Sequence, residues 1–136
     1  MKTKVLVLSV LFSLLLVSCG GGGGASDKIN VTMTDFHYTP DAFIIPAGQT
    51  ITVNVRNDGA VLHEFVLMKP GITIGEAFGP EDEENIYWEV EVDPGQSKTE
   101  TFTAPAELGD YQVVCGTEGH VAAGMVGSLK VVEPKK

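Results

Sequence analysis

The sequence predicts an all-β domain, a sandwich or barrel of about eight short strands. Apolar and polar residues alternate through most of the chain, turn signals interrupt the alternation at short intervals, and helical periodicity is scarce. Ile29, Val31 and Met33 alternate with Asn30, Thr32 and Thr34. Ile51, Val53 and Val55 do so with Thr50, Thr52 and Asn54, as strands with one buried face require. The period returns at Ile86, Trp88, Val90 and Val92 against Tyr87, Glu89 and Glu91, which puts Trp88 on a core-facing side. It is less clean over 98–103, 111–115 and 128–132, and 43–45 and 64–68 complete the set. Turns are marked by Pro46-Ala47-Gly48, Asn57-Asp58-Gly59, Pro70-Gly71, Asp93-Pro94-Gly95 and Leu108-Gly109-Asp110. His37 and Tyr38 read as a polar turn before Pro40, and the one helical candidate is 74–78, inside an irregular acidic insertion at 71–84.

The 136 residues, 43% of them hydrophobic, suit one domain with a real core. The leader, 1–18, reads as a processing signal: Lys2 and Lys4 precede an apolar run from Val5 to Val17 that is too short to span a bilayer. Leu16-Val17-Ser18-Cys19 then resembles the lipobox of bacterial lipoproteins, which implies a lipoprotein signal peptide and acylation of Cys19. Residues 19–27 form the lipidated Cys and a Gly-rich tether, built on the run Gly20 to Gly24, and 28–136 form the folded domain. The expected location is the cell membrane, lipid-anchored, facing the periplasm or the cell exterior. All 18 acidic residues but only seven of the nine basic ones follow position 18, leaving a net charge of −11 without the leader. Such an acidic body is not built to bind nucleic acid, and it suits a basic protein partner.

If lipid takes Cys19, Cys115 stands alone in a compartment that oxidises thiols. It could be an inert core thiol, a nucleophile or a metal ligand. Its neighbours favour metal: Cys115, His120 and Met125 follow one another at Cys-x4-His-x4-Met spacing in a loop between two strands. Thiolate, imidazole and a weak thioether are the donors copper favours, in sites of two His and one Cys with an axial Met. A second His must come from elsewhere in the chain, and His63, between a turn-like stretch and a strand, is better placed than His37.

The elements Asn57-x5-His63 and Tyr111-x3-Cys115-x4-His120-x4-Met125-x-Gly127 resemble the ligand motifs of the type 1 (blue) copper cupredoxins. The loop length is similar to azurin and auracyanin rather than to plastocyanin. The resemblance implies a Greek-key β-sandwich holding one type 1 copper ion, with His63, Cys115 and His120 equatorial and Met125 axial. It implies single-electron transfer with redox proteins such as c-type cytochromes or a membrane electron-transfer complex, by a monomer. It also implies that His120 lies near the surface as the electron's exit, among the small apolar residues Gly59, Ala60, Val61, Leu62, Val121, Ala122 and Ala123. One departure stands out: many members place Asn after the first His, where it ties the ligand loops together, and this chain has Glu64.

Other functions fit less well. A Cys-His pair for nucleophilic catalysis has no use for Met125, a dithiol lacks its second Cys, and structural zinc rarely takes Met. No enzyme is expected. The alternatives are a copper-binding lipoprotein for storage or delivery, and a metal-free sandwich used for adhesion or scaffolding.

Overall fold

The computed structural model describes residues 23–135. The leader and Cys19 lie outside that range. The expected all-β sandwich is found, with nine strands among the described residues: β1 (Lys28–Thr34), β2 (His37–Thr39), β3 (Ala42–Pro46), β4 (Thr50–Asn57), β5 (His63–Met68), β6 (Ile86–Val92), β7 (Ser97–Thr103), β8 (Gly109–Val114) and β9 (Val126–Val132). They form a four-stranded sheet in the order β2-β1-β4-β7 and a five-stranded sheet in the order β3-β9-β8-β5-β6. The pairs β1–β4 and β3–β9 are parallel and the others antiparallel.

The alternation read from the sequence is the alternation of burial. Ile29, Val31 and Met33 of β1 and Ile51, Val53 and Val55 of β4 face Phe43, Ile45, Phe65, Leu67, Val113, Leu129 and Val131 of the other sheet in one core. Phe65 sits at its centre, with the rings of Tyr38, Phe43 and Trp88 against it at centroid distances of 5.6, 5.4 and 6.4 Å. Trp88 also stacks on Phe102 at 4.8 Å, which gives it the packing role expected.

Two local expectations need correction. Residues 37–39 are a strand, not a polar turn: β2 pairs with β1, and Tyr38 turns inward, 4% exposed, donating its hydroxyl to the Glu64 carbonyl at 2.6 Å. The sequence misleads here because three residues are too few to show a period. No helix forms at 74–78. The helical turn is a 3-10 helix at Pro80–Asn85, where Pro80 occupies the first turn and the Asp82 carboxylate accepts the Gly79 N–H at 2.9 Å. Ile74 is instead held extended by the Gln112 amide, which accepts its N–H at 2.6 Å and donates to its carbonyl at 3.1 Å.

The insertion has a structural role of its own. Its apolar residues Ile72, Ile74 and Phe78 cover Val66, Met68, Val114 and Val121 in a second cluster on the outer side of the five-stranded sheet. β5 is therefore buried on both faces, which explains its unbroken apolar run Phe65 to Met68.

Truncation of Phe65 to Ala removes the ring that joins both sheets, so it is expected to lower stability by about 3–5 kcal/mol in denaturant unfolding.

Candidate metal centre

Three polar side chains are buried at one end of the sandwich: His63 at 0%, His120 at 6% and Cys115 at 0% exposure. Their ligand atoms all lie within 4.8 Å of one another. His63 Nδ1 and His120 Nδ1 are 3.2 Å apart, and Cys115 Sγ is 3.3 Å from His120 Nδ1 and 3.9 Å from His63 Nδ1. One thiol and two imidazoles thus aim at a common point in an apolar interior. That donor set fits a soft or borderline metal ion of the kind thiolate and imidazole select.

The backbone explains the convergence. His63 opens β5 and Cys115 follows the last residue of β8, and these two strands are neighbours in one sheet. The loop from Cys115 then folds into a chain of tight turns, with the His120 N–H on the Thr117 carbonyl at 3.1 Å and the Ala123 N–H on Gly119 at 3.0 Å. Gly119 and Gly124 take φ of +81° and +97°, which let the chain turn back within ten residues. The loop is closed at its neck, where the Cys115 N–H reaches the Met125 carbonyl at 3.2 Å and the Met125 N–H reaches His120 at 2.9 Å. Met125 is fully buried and is tied through its backbone to both residues. His37 is exposed on β2 and takes no part.

Asn57 organises the loop that delivers His63. It is fully buried, its Nδ2 donates to the carbonyls of Val61 and Val92, both at 2.8 Å, and its Oδ1 accepts the Gly59 N–H at 2.8 Å. Both N–H donors of the amide and one lone pair of its oxygen are used. The two loops are joined by the Thr117 hydroxyl, which donates to the Leu62 carbonyl at 3.3 Å. Glu64 follows His63 on β5. Its N–H points at Cys115 Sγ at 3.4 Å, and its half-buried carboxylate lies over Gly116.

Electrostatics follow from burial. The Cys115 thiol is pushed up chiefly by desolvation, partly countered by the Glu64 N–H and by Thr117. Desolvation, then the charge of His63, lowers His120. Desolvation also raises Glu64, with Glu89, Glu91 and Glu83 adding to it. The His63 hydrogen bond holds Asp35 below its ordinary value.

Around the centre the surface is apolar, but not quite as the sequence suggests. Val61 is 43% exposed, and Ala60, Ala122 and Ala123 are exposed. Val121 instead turns inward to the second cluster, because the insertion offers it apolar partners. Phe36, absent from the sequence-based set, is 38% exposed and meets the His120 ring edge-on at 5.0 Å. Asp35 was equally invisible. Both sit in a hairpin turn far from the ligands in sequence, and only strand pairing brings them near.

Comparison with known proteins agrees with this fold and site. A family described as the cupredoxin-like domain matches residues 6–126. Auracyanin-A of Chloroflexus aurantiacus is 31% identical, with 94% of this chain and 96% of that protein aligned. The copper-resistant cuproprotein CopI of Pseudomonas aeruginosa is 28% identical over 79% of this chain and 77% of its own. The structure of dithionite-reduced auracyanin from Roseiflexus castenholzii superposes with a TM-score of 0.68 at 34% identity, covering 80% of this chain and 99% of that one. The chain belongs to the cupredoxin-like family, the one its loop spacing resembles.

Replacing Asn57 by Ala strips partners from two carbonyls and one amide. It is expected to cost about 1–3 kcal/mol for each buried group left unpaired, read as a lower unfolding midpoint together with weaker Zn(II) binding in a competition titration.

Proposed function

We propose that this protein is a copper-binding electron carrier that passes single electrons between redox proteins through one type 1 copper ion. The observation that carries this reading is the buried His63–Cys115–His120 cluster, whose ligand atoms lie within 4.8 Å of one another. His63, Cys115, His120 and Met125 would hold the ion, a donor set matched to copper. When bound, copper supplies a one-electron change of oxidation state. The protein's own residues supply the rest. Burial keeps water from the centre, and the hydrogen bonds at the neck of the loop hold the donors in place through a change of charge. The Glu64 N–H moderates charge on the sulfur. His120, 6% exposed beneath Phe36, is the donor closest to solvent, and the apolar residues around it let a partner approach and shed water.

This is not an enzyme. Four protein donors would leave a bound ion no open position for a substrate. Storage or delivery of copper calls for exposed, exchangeable donors, whereas these are buried and include a single Met. Redox proteins, c-type cytochromes among them, are the partners such a carrier serves, and the acidic body suits a basic one.

The same reading includes a membrane anchor. The charged start, apolar run and Leu16-Val17-Ser18-Cys19 support cleavage before Cys19, acylation of that residue, and exposure of the domain to the periplasm or cell exterior through a glycine tether. Among the described residues no helix is long and apolar enough to cross a membrane.

Loading the domain with Cu(II) is expected to give an intense blue charge-transfer band and a reversible one-electron wave, both lost in Cys115→Ser. A colourless protein that yields Cu(I) to a chelator would instead favour delivery. In cells, labelled palmitate should enter the wild-type chain and not Cys19→Ala; equal labelling of both would remove the anchor at Cys19.

A further inference from the structure

The outer nitrogen of His63 is held by the opposite sheet. His63 Nε2 lies 2.9 Å from Asp35 Oδ1, and Asp35 stands in the two-residue turn between β1 and β2. The same carboxylate accepts the Ala60 N–H, at 3.1 Å to one oxygen and 3.2 Å to the other. No Lys or Arg pairs with it among the described residues, so this is not a surface ion pair that happens to lie near the centre. The chain has also cleared a space for the contact. A Cβ on Gly59 would run into Asp35 Oδ1 and come within 2.6 Å of His63 Nε2, so the bond exists only because that position is glycine.

From this geometry we infer that Asp35 is a positioning residue for the metal centre, one that fixes the orientation and tautomer of His63 and places a negative charge beside the bound ion. A carboxylate can only accept from the ring, so the proton of neutral His63 sits on Nε2 and the lone pair of Nδ1 faces Cys115 and His120. The ligand face is thereby set before any metal arrives. The charge has a second effect. A fixed anion favours the more highly charged oxidised ion, so Asp35 holds the reduction potential below the value a neutral acceptor would give. The next residue, Phe36, packs on His120, so one hairpin tip touches both imidazoles. The inference concerns ligand orientation and charge, and its copper arm rests on the electron-carrier reading above.

Two variants separate the contributions. Asp35→Asn keeps an acceptor for Nε2–H and removes the charge; Asp35→Ala removes both. The residue is over a third exposed, in a turn, so both variants should fold, which thermal unfolding of the metal-free protein checks. In the metal-free protein, nitrogen-15 NMR of the imidazoles should show His63 protonated at Nε2 in wild type and Asp35→Asn and a mixture of tautomers in Asp35→Ala. Zn(II) affinity should fall about 10–100-fold in Asp35→Ala and less in Asp35→Asn. In the copper-loaded protein both variants should show a more positive potential. An unchanged tautomer and Zn(II) affinity in Asp35→Ala would overturn the positioning role, and an unchanged potential in Asp35→Asn would overturn the charge effect. Because NMR and zinc binding need no copper, these outcomes stand apart from any failure of the electron-carrier reading.

Discussion

Placing two imidazoles and a thiol together in an apolar interior is the constraint that the rest of this protein answers to. Buried polar groups are costly unless each finds a partner, and three donors aimed at one point repay that cost fully only when something binds there. The surrounding structure is arranged to keep them from collapsing onto other partners. His63 is held from behind by Asp35, Cys115 by the Glu64 N–H and its own backbone bond to Met125, and His120 by turn hydrogen bonds and the edge of Phe36. None of these supports comes from the metal side.

The sandwich is the means of holding such a frame still. The ligands gather at strand ends, where side chains can converge without breaking a ladder of hydrogen bonds. Asn57 shows how closely the loops are specified: a single buried amide closes the turn before His63 and joins it to β6. The acidic insertion contributes from further away. By covering the outer side of β5 and the Val114 end of β8, it buries on two faces the parts of the sheet nearest the centre.

Much of this was legible in the sequence, for reasons that differ by residue. β1, β4 and β6 could be read because one face of each meets the core, and alternation survives wherever that holds. The Cys115 to Met125 loop was legible because its donors are close in sequence and their chemistry is unusual. His63 was found by elimination and by resemblance, since nothing local marks it. What stayed hidden depends on pairing between segments distant in the chain. Tyr38 looked polar because β2 is too short to show a period, Val121 looked exposed because its cover comes from residues more than forty positions earlier, and Asp35 looked like any acidic turn residue. Glu64 was visible as a departure, but its reach to Gly116 was not.

β1 links the two ends of the molecule. It begins at Lys28, beside the glycine-rich segment, and its seven residues end at the turn whose Asp35 touches His63. At about 3.3 Å per residue, such a strand spans roughly 20 Å. Entry of the chain and exposure of the buried cluster are thus at opposite poles. The face around His120 therefore lies at the pole opposite the start of β1. The strand that spaces the two poles also leads into the turn whose Asp35 and Phe36 touch the two histidines.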